Sequence, residues 1–139
     1  AEEEKSALFS VVSVNFSLPD KGSLRHYGKA GEMRIVAMAR DYMHANFCDK
    51  LRVEEIAREV FMSQYHFSRI FKKHTSYSPY QYLLEVRLQH ARKLMLQKGL
   101  TIKEITFRSG FNSMDYFSAA FSKKFSVCPS MYKKRLHNN

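Results

Sequence analysis

The sequence has few cysteines, no long apolar run and no secretory N-terminus, and each absence excludes a class of protein. Two cysteines among 139 residues make no disulfide framework, so we expect a reducing, cytoplasmic environment. No run of 18 apolar residues is present, and no membrane partner is expected. The acidic N-terminus is unlike a secretory signal. A glycine-rich phosphate loop and a Gly-x-Ser-x-Gly turn are also missing, which argues against two large enzyme classes.

Acidic residues are scarce, and the resulting positive charge is unevenly distributed. The formal net charge is +10, from 23 lysines and arginines and 13 aspartates and glutamates. Residues 1–50 contain seven residues of each sign, so the whole excess lies in residues 51–139. A polyanion is the natural partner for that segment. Basic proteins also bind acidic proteins and membranes, so the charge alone does not single out nucleic acid as the partner.

Residues 1–31 differ in pattern from the rest of the chain. Between Val12 and Leu18, apolar and polar residues alternate with the period of a half-buried strand. Glycines and scattered charges follow, which is typical of a linker. A lone strand is not stable by itself. We therefore expect this non-helical segment to be a linker or the remnant of an N-terminal sensor domain, and to contact a sensor domain or a dimer partner. The alternative is a disordered tail.

From Met33 onward the apolar spacing is helical and predicts seven helices. Local signals mark several helix starts, including Ser63, the Thr101–Glu104 capping box, and either Asn112 or Ser113. The expected helices are 33–46, 53–60, 63 to about 74, 79–98, 102–109, one from Asn112 or Ser113 to about 124, and 129–136. The fourth, which Pro79 opens, would be a linking helix about 30 Å long.

The second half of the chain repeats the first. Glu55 and Ile56 match Glu104 and Ile105 at an offset of 49 residues. At an offset of 50, Phe67, Phe71, Pro79 and Tyr82 match Phe117, Phe121, Pro129 and Tyr132. We infer an all-α fold of two helix-turn-helix lobes joined by a long linking helix, within a domain of residues 32–139. The lobes would span about 53–74 and 102–124, with the linking helix at 79–98.

The second helix of the first lobe has an outward face suited to a major groove. Arg69 can bond guanine with two hydrogen bonds, Gln64 can pair with adenine, and Tyr65 can contact a thymine methyl group. Lysines further along the helix suit phosphates. The face is formed by Gln64, Tyr65, Ser68, Arg69, Lys72 and Lys73.

The matching face of the second lobe is less suited to base recognition, because it carries no arginine. Its outward positions near the helix start are Met114, Asp115, Ser118 and Ala119. Asp115 can accept a hydrogen bond from a cytosine amino group, but an acidic residue at this position more often caps its own helix and interacts with the helix dipole. We expect this lobe to bind mainly phosphates, through Lys123, Lys124, Lys133, Lys134 and Arg135. A connector close in length to the DNA pitch of about 34 Å would place both recognition helices in successive major-groove segments.

Residues 33–136 resemble the DNA-binding domain of the AraC/XylS family of bacterial transcription regulators. The first half carries this resemblance through Ile56-Ala57, Met62-Ser63, Phe67, Arg69, Phe71-Lys72-Lys73, Ser78-Pro79, Tyr82, Arg87, Ala91, Leu94 and Leu96. The second half carries it through Ile105, Gly110-Phe111, Tyr116-Phe117, Phe121, Lys123-Lys124-Phe125, Pro129 and Tyr132.

The resemblance implies a seven-helix activator or repressor that binds double-stranded DNA, often with RNA polymerase as a second partner. It also implies base-reading positions at Tyr65, Ser68 and Arg69 in the first lobe, and at Met114, Asp115, Ser118 and Ala119 in the second. The sequence departs from the family pattern at four positions. Phe61 replaces a turn glycine and must take a left-handed backbone or shift the turn. Ser76 and Ser126 replace two further glycines, and Ala119 replaces a common arginine.

Metal and enzyme chemistry find little support. His44 and Cys48 are four residues apart, but Asn46 is expected to end the helix between them, so no metal or other cofactor is expected. Some DNA-repair alkyltransferases carry such a domain, yet neither Cys48 nor Cys128 has a base beside it in the sequence, and no enzymatic activity is expected. The alternative function is a protein-interaction module of the same fold that contacts an acidic partner such as RNA polymerase without reading DNA.

Overall fold

The computed structural model of the protein describes residues 28–138, which form seven α-helices and no β-strand. The predicted all-α fold is therefore confirmed. The predicted strand lies outside the described residues, and so does nearly all of the N-terminal segment. The helices are α1 (Lys29–Asn46), α2 (Val53–Glu59), α3 (Gln64–Thr75), α4 (Pro79–Leu94), α5 (Ile102–Arg108), α6 (Met114–Phe125) and α7 (Pro129–His137).

The described residues form two compact units, each with one helix-turn-helix. Unit 1 contains residues 28–46 and Leu51–Tyr82, and so includes α1, α2, α3 and the first turn of α4. Unit 2 contains Phe47–Lys50 and residues 83–138, with the remainder of α4 and α5 to α7. The outer boundaries of the predicted DNA-binding domain stay a prediction.

Each unit buries the apolar stripes that the helical periodicity predicts. In unit 1 the buried side chains are Ile35, Val36, Met38, Ala39, Met43, Ile56, Ala57, Val60, Phe67, Ile70 and Phe71. In unit 2 they include Leu88, Ala91, Met95, Leu100, Ile105, Phe111, Phe117 and Phe121, with Phe125 and Tyr132 packed against them. The two cores are built from matching phenylalanines, because Phe67 and Phe71 occupy the repeat positions of Phe117 and Phe121.

Side-chain caps begin the helices where the sequence predicts them. The Ser63 hydroxyl accepts a hydrogen bond from the His66 N–H at 3.2 Å and starts α3. Of the two candidates for α6, Ser113 is the cap and accepts from the Tyr116 N–H at 3.0 Å. The Thr101–Glu104 capping box of α5 is formed in both directions. These caps orient the exposed N-terminal ends of α3 and α6.

The turn after α2 and the turn after α5 follow the same hydrogen-bonding pattern. The Met62 N–H donates to the Ala57 carbonyl at 2.9 Å, and the Phe111 N–H donates to the Thr106 carbonyl at 3.2 Å. A hydrogen bond from an N–H to the carbonyl five residues earlier, at the end of a helix, is characteristic of a Schellman motif. The motif reverses the chain sharply. Helix α3 therefore starts within a few residues of the end of α2, and α6 starts within a few residues of the end of α5.

A Schellman motif needs one residue with a left-handed backbone, and both units supply it at the matching position. Phe61 has φ 60°, and Gly110 has φ 91°. Of the two possibilities stated for Phe61, the left-handed backbone is the one observed. Ser76 and Ser126, which end α3 and α6, are also left-handed, with φ 67° and 62°. Three of the four left-handed residues are thus not glycine, at a cost of about 1–2 kcal/mol each.

Helix α1 begins earlier than the sequence predicts. It starts at Lys29, and Gly31, assigned to the linker, lies inside its first turns. The Glu32 N–H donates to the Gly28 carbonyl at 3.0 Å, which closes the first turn. This turn adds no residue to the buried apolar stripe, so the apolar pattern that starts at Met33 could not reveal it.

Helix α4 ends at Leu94, so the prediction that it continues to residue 98 is wrong. The N–H groups of Leu96 and Gln97 donate to carbonyls only three residues back, which tightens and ends the helix. Its sixteen residues correspond to about 24 Å, shorter than the expected 30 Å.

Two side chains of α7 donate hydrogen bonds to backbone carbonyls just after the end of α4. His137 Nε2 donates to the Met95 carbonyl at 2.8 Å, and Lys133 Nζ donates to the Gln97 carbonyl at 3.0 Å. Carbonyls at a helix C-terminus lack partners within the helix and attract positive charge. Contacts from a distant helix therefore stabilise the end of α4.

Candidate nucleic-acid interface

Helix α3 has one buried face and one exposed face. Phe67 and Phe71 are fully buried and Ile70 nearly so, which fixes the rotation of the helix. Of the predicted base-reading residues on α3, only Ser68 is partly buried. The helix contains no acidic residue. The side chains that face solvent are Gln64, Tyr65, Arg69, Lys72 and Lys73. The predicted contact face is therefore accessible and positively charged.

Two of the predicted base-reading residues contact each other. The guanidinium carbon of Arg69 lies 5.7 Å from the ring centroid of Tyr65, one helical turn earlier. The Tyr65 side chain is 74% exposed. The pair therefore stands on the solvent face of α3 and not in the core.

The last turn of α3 is bonded to α1 through Glu32. Lys73 Nζ lies 3.0 Å and His74 Nε2 2.8 Å from the same carboxylate oxygen of Glu32. The His74 hydrogen bond, followed by the Lys73 bond, lowers the pKa of the Glu32 carboxyl group. The network joins the end of α3 to the start of α1. A phosphate contact by Lys73, which stays a prediction, would exchange Glu32 for a phosphate oxygen.

Helix α6 exposes a less basic face than α3. Met114, Asp115 and Ala119 are exposed and Ser118 is partly buried, near the start of the helix. Asp115 lies in the first turn, where a carboxylate interacts favourably with the helix dipole. The predicted phosphate-binding residues Lys123 and Lys124 are both exposed, and Lys124 Nζ lies 3.1 Å from the Glu85 carboxylate.

The predicted phosphate-binding residues of α7 have different surroundings. Lys134 and Arg135 are exposed, whereas Lys133 is partly buried and bonded to the Gln97 carbonyl. A shallow cleft of about 420 Å³ opens beside them in unit 2. It is lined by Lys98, Ile102, Ser130, Lys133, Lys134 and His137. Lys133, Lys134 and His137 of α7 thus share one surface with Lys98.

Three residues have structural roles that local sequence patterns do not predict. They are Glu32 and His137, already described, and Arg87, which the family resemblance includes without a role. Arg87 donates from Nε to the Phe47 carbonyl and from Nη2 to the Asp49 carbonyl, both at 2.9 Å. Each acts on a residue some 40 positions away, so no local spacing could indicate it. Ser78 and Gln81 form a reciprocal cap at the start of α4, and their three-residue spacing is a local signal of that cap.

The two residues considered as a metal pair have other partners. His44 Nε2 lies 3.0 Å from the Tyr82 hydroxyl, and Cys48 Sγ donates to the Arg108 carbonyl at 3.2 Å. Within residues 28–138, no three His, Cys, Asp or Glu side chains are grouped to hold a metal ion. Over the same range, every helix is too short or too polar to span a bilayer.

The sequence is similar to a known domain family and to curated regulatory proteins. Residues 56–135 match the helix-turn-helix domain family. The Msm operon regulatory protein of Streptococcus mutans is 33% identical over 104 residues, which are 75% of this chain and 37% of that protein. This chain spans about a third of the length of the curated relatives it matches.

Solved structures of similar fold are known. A transcriptional regulator with an AraC-type DNA-binding domain, from Chromobacterium violaceum, matches 79% of this chain and 98% of its own, with 30% identity and a TM-score of 0.70. The DNA-binding domain of AdpA, a global transcriptional factor solved with a target DNA, matches 75% of this chain and 90% of its own. Its identity is 26% and its TM-score 0.64.

Proposed function

Because this chain belongs to the AraC-type helix-turn-helix family of transcription regulators, we propose that it binds double-stranded DNA sequence-specifically. Helix α3 reads bases in the major groove, and α6 and α7 hold the DNA backbone. The observation that carries this proposal is the outward face of α3. That face is exposed, cationic and free of acidic residues, and buried phenylalanines fix its orientation.

Helix α3 carries most of the sequence discrimination. An α-helix fits the major groove, where guanine presents two acceptors that match the two-pronged guanidinium of Arg69. Gln64 lies in the first turn and pairs with adenine. Lys72 is exposed further along the same helix and contacts phosphate.

Helix α6 contributes affinity more than discrimination. At the repeat position of Arg69 it has Ala119, which offers a methyl group and no hydrogen bond. Asp115 in its first turn repels phosphate, where α3 has no acidic residue. Its useful contacts are electrostatic, through Lys123 and Lys124, with Lys134 and Arg135 of α7.

The salt dependence of binding tests the proposal on the whole 139-residue chain. A duplex is first selected from a random pool, and its affinity is measured by fluorescence anisotropy at 50 and 200 mM salt. Release of counterions predicts a steep loss, with a log–log slope of about −0.9 for each phosphate contact. A scrambled duplex of equal length should bind more weakly at both salt concentrations. Equal affinity for both duplexes would contradict sequence-specific binding.

The competing function, an interaction module for an acidic protein, predicts a different result. Such a module would select no sequence from the pool, although weak, salt-sensitive attraction to any duplex would remain. The length of the selected site also matters. Two base-specific segments would indicate that both units read bases, and one segment would fit the division of roles proposed for α3 and α6.

The whole regulator involves partners beyond DNA. A sensor domain outside this chain fits the length of the relatives, since the chain covers 37% of the Msm operon regulatory protein. RNA polymerase is the second proposed partner, following the resemblance to the AraC/XylS family. Transcription in vitro from a promoter that carries the selected site tests this contact. An unchanged transcript level at saturating protein would place any polymerase contact outside this chain.

A further inference from the structure

The contact between Tyr65 and Arg69 has no packing function that would explain it. The Arg69 guanidinium carbon lies 5.7 Å from the centroid of the Tyr65 ring, and Tyr65 is 74% exposed. Two other arginines of the described chain lie over aromatic rings, Arg40 over Tyr82 and Arg92 over Phe125. Both of those rings are partly buried in their units. Tyr65 alone among the three supports a cation with a ring that faces solvent.

A ring in this position restricts the arginine beside it. An exposed arginine samples many rotamers, and a cation–π contact favours, by about two- to fivefold, the rotamers that place the guanidinium over the ring before any ligand arrives. Affinity for a ligand improves when the binding group is already oriented, because less disorder is lost on binding. In α6 the repeat positions are Asp115 and Ala119, so α6 cannot form such a pair.

We propose that Tyr65 is a positioning residue for Arg69 and not itself a reader of a base. Its ring holds the guanidinium extended from α3, with the N–H groups directed at the edge of one base pair. This inference rests on the proposed function and replaces the expectation that Tyr65 contacts a thymine methyl group. Discrimination at the base pair read by Arg69 then depends on both residues.

A double-mutant cycle on DNA affinity tests the inference. The variants are Tyr65→Ala, Arg69→Ala and the double variant, with Tyr65→Phe as the matched control that keeps the ring and removes the hydroxyl. Tyr65→Ala should weaken binding to the selected site by about two- to fivefold. It should relax preference at the same base pair as Arg69→Ala, and add nothing in the Arg69→Ala background. Tyr65→Phe should bind like the original chain.

Several results would overturn the inference. Additive losses in the cycle, or a change of preference at a different base pair, would mean that Tyr65 contacts DNA directly. A Tyr65→Phe variant as weak as Tyr65→Ala would assign the role to the hydroxyl. Unfolding should be unchanged in Tyr65→Ala because the ring is not in the core, and this measurement excludes a folding defect.

A measurement on the protein alone separates this inference from the proposed function. In NMR spectra of the free chain, the ring should shift the Arg69 Hδ protons upfield. The shift should persist in Tyr65→Phe and disappear in Tyr65→Ala. Normal random-coil shifts for Arg69 would refute the stacking even if DNA binding is strong. Failure of the original chain to bind any duplex would refute the proposed function while leaving the stacking result intact.

Discussion

The two helix-turn-helix turns have the same backbone path but very different surroundings. In unit 2, a Cβ added to Gly110 would overlap the Phe47 carbonyl oxygen and lie 2.9 Å from Arg87 Nε. In unit 1, the matching residue is Phe61, and its side chain is 62% exposed. The Schellman hydrogen bonds impose a left-handed residue in both turns. Glycine itself is required only where another backbone segment lies against the turn.

The largest effect expected from this difference is that of Gly110→Ala. The new methyl group would overlap the Phe47 carbonyl, and alanine would also be strained at φ 91°. We expect a loss of about 2–4 kcal/mol in the free energy of unfolding of unit 2. Denaturant unfolding gives the size of the loss, and amide hydrogen exchange shows which unit it affects.

Gly99→Ala is the matched control for that substitution. Nothing lies within 4 Å of a Cβ at Gly99, and its backbone is not left-handed. Its effect should stay within about 0.5 kcal/mol. Similar losses at both glycines would show that close packing around Gly110 does not explain its requirement.

The recognition helices form a second contrast, which Arg69→Ala and Lys123→Ala test together. Arg69→Ala should cost about 1–3 kcal/mol on the selected site and relax preference at one base pair. Lys123→Ala should weaken binding to all duplexes similarly and make the salt dependence shallower by about one unit. Selection experiments on both variants measure the preferences. A base-selective loss in Lys123→Ala would contradict its assignment to phosphate.

The ion pairs that hold α3 and α6 should differ in strength. Side-chain exposure is 16% for Glu32 and 12% for His74, against 29% for Glu85 and 40% for Lys124. Glu32→Gln should lower the free energy of unfolding at neutral pH by about 1–2 kcal/mol. Glu85→Gln, in the more solvated pair, should cost at most about 0.5 kcal/mol.

The pH dependence of the Glu32→Gln effect has a definite sign. Bonds to His74 and Lys73 place the pKa of the folded-state carboxyl below its ordinary value of 4.5. The stabilisation is therefore present above 4.5 and disappears as the pH falls through the lowered pKa. Unfolding free energies of the original chain and the variant should converge in acid. A constant difference between them down to the lowest pH would mean that the charge of Glu32 is unimportant.

A modest effect of opposite sign, a gain in stability, is expected from Phe61→Gly. Glycine removes the left-handed strain of about 1–2 kcal/mol but makes the unfolded chain more flexible. The Phe61 side chain is mostly exposed, so little burial is lost. We expect a net gain of about 0.5–1 kcal/mol by thermal unfolding. A loss of stability would indicate that the ring packs more usefully than its exposure suggests.

Features defined by neighbouring residues were predictable from the sequence, and features defined by distant residues were not. Three helix starts depend on signals that act within one turn, namely Ser63, the Thr101–Glu104 box and Pro129. These three starts were predicted at their observed positions. The end of α4 is accompanied by bonds from His137 and Lys133, more than 30 residues away. Gly99, directly after the predicted end at residue 98, is a local stop signal, but the helix ends earlier, at Leu94.

The candidate site shows the same limit. The exposed residues of α3 and α6 followed from helical periodicity and the repeat. The stacking of Arg69 on Tyr65 is consistent with their four-residue spacing, although spacing alone does not say that an arginine lies over the ring and not in solvent. The engagement of Lys73 by Glu32 joins residues 41 positions apart, and only the folded chain brings them together.

The assignment of Phe47–Lys50 to unit 2 has a consequence for how this protein can be divided. The four residues precede α2 and α3 in the chain, yet they cover the turn at Gly110 with help from Arg87. Neither unit is a continuous stretch of polypeptide, so no single cut yields both as intact fragments. A fragment that starts at Leu83 would expose the Gly110 turn, and during synthesis part of the second unit leaves the ribosome before the first is complete.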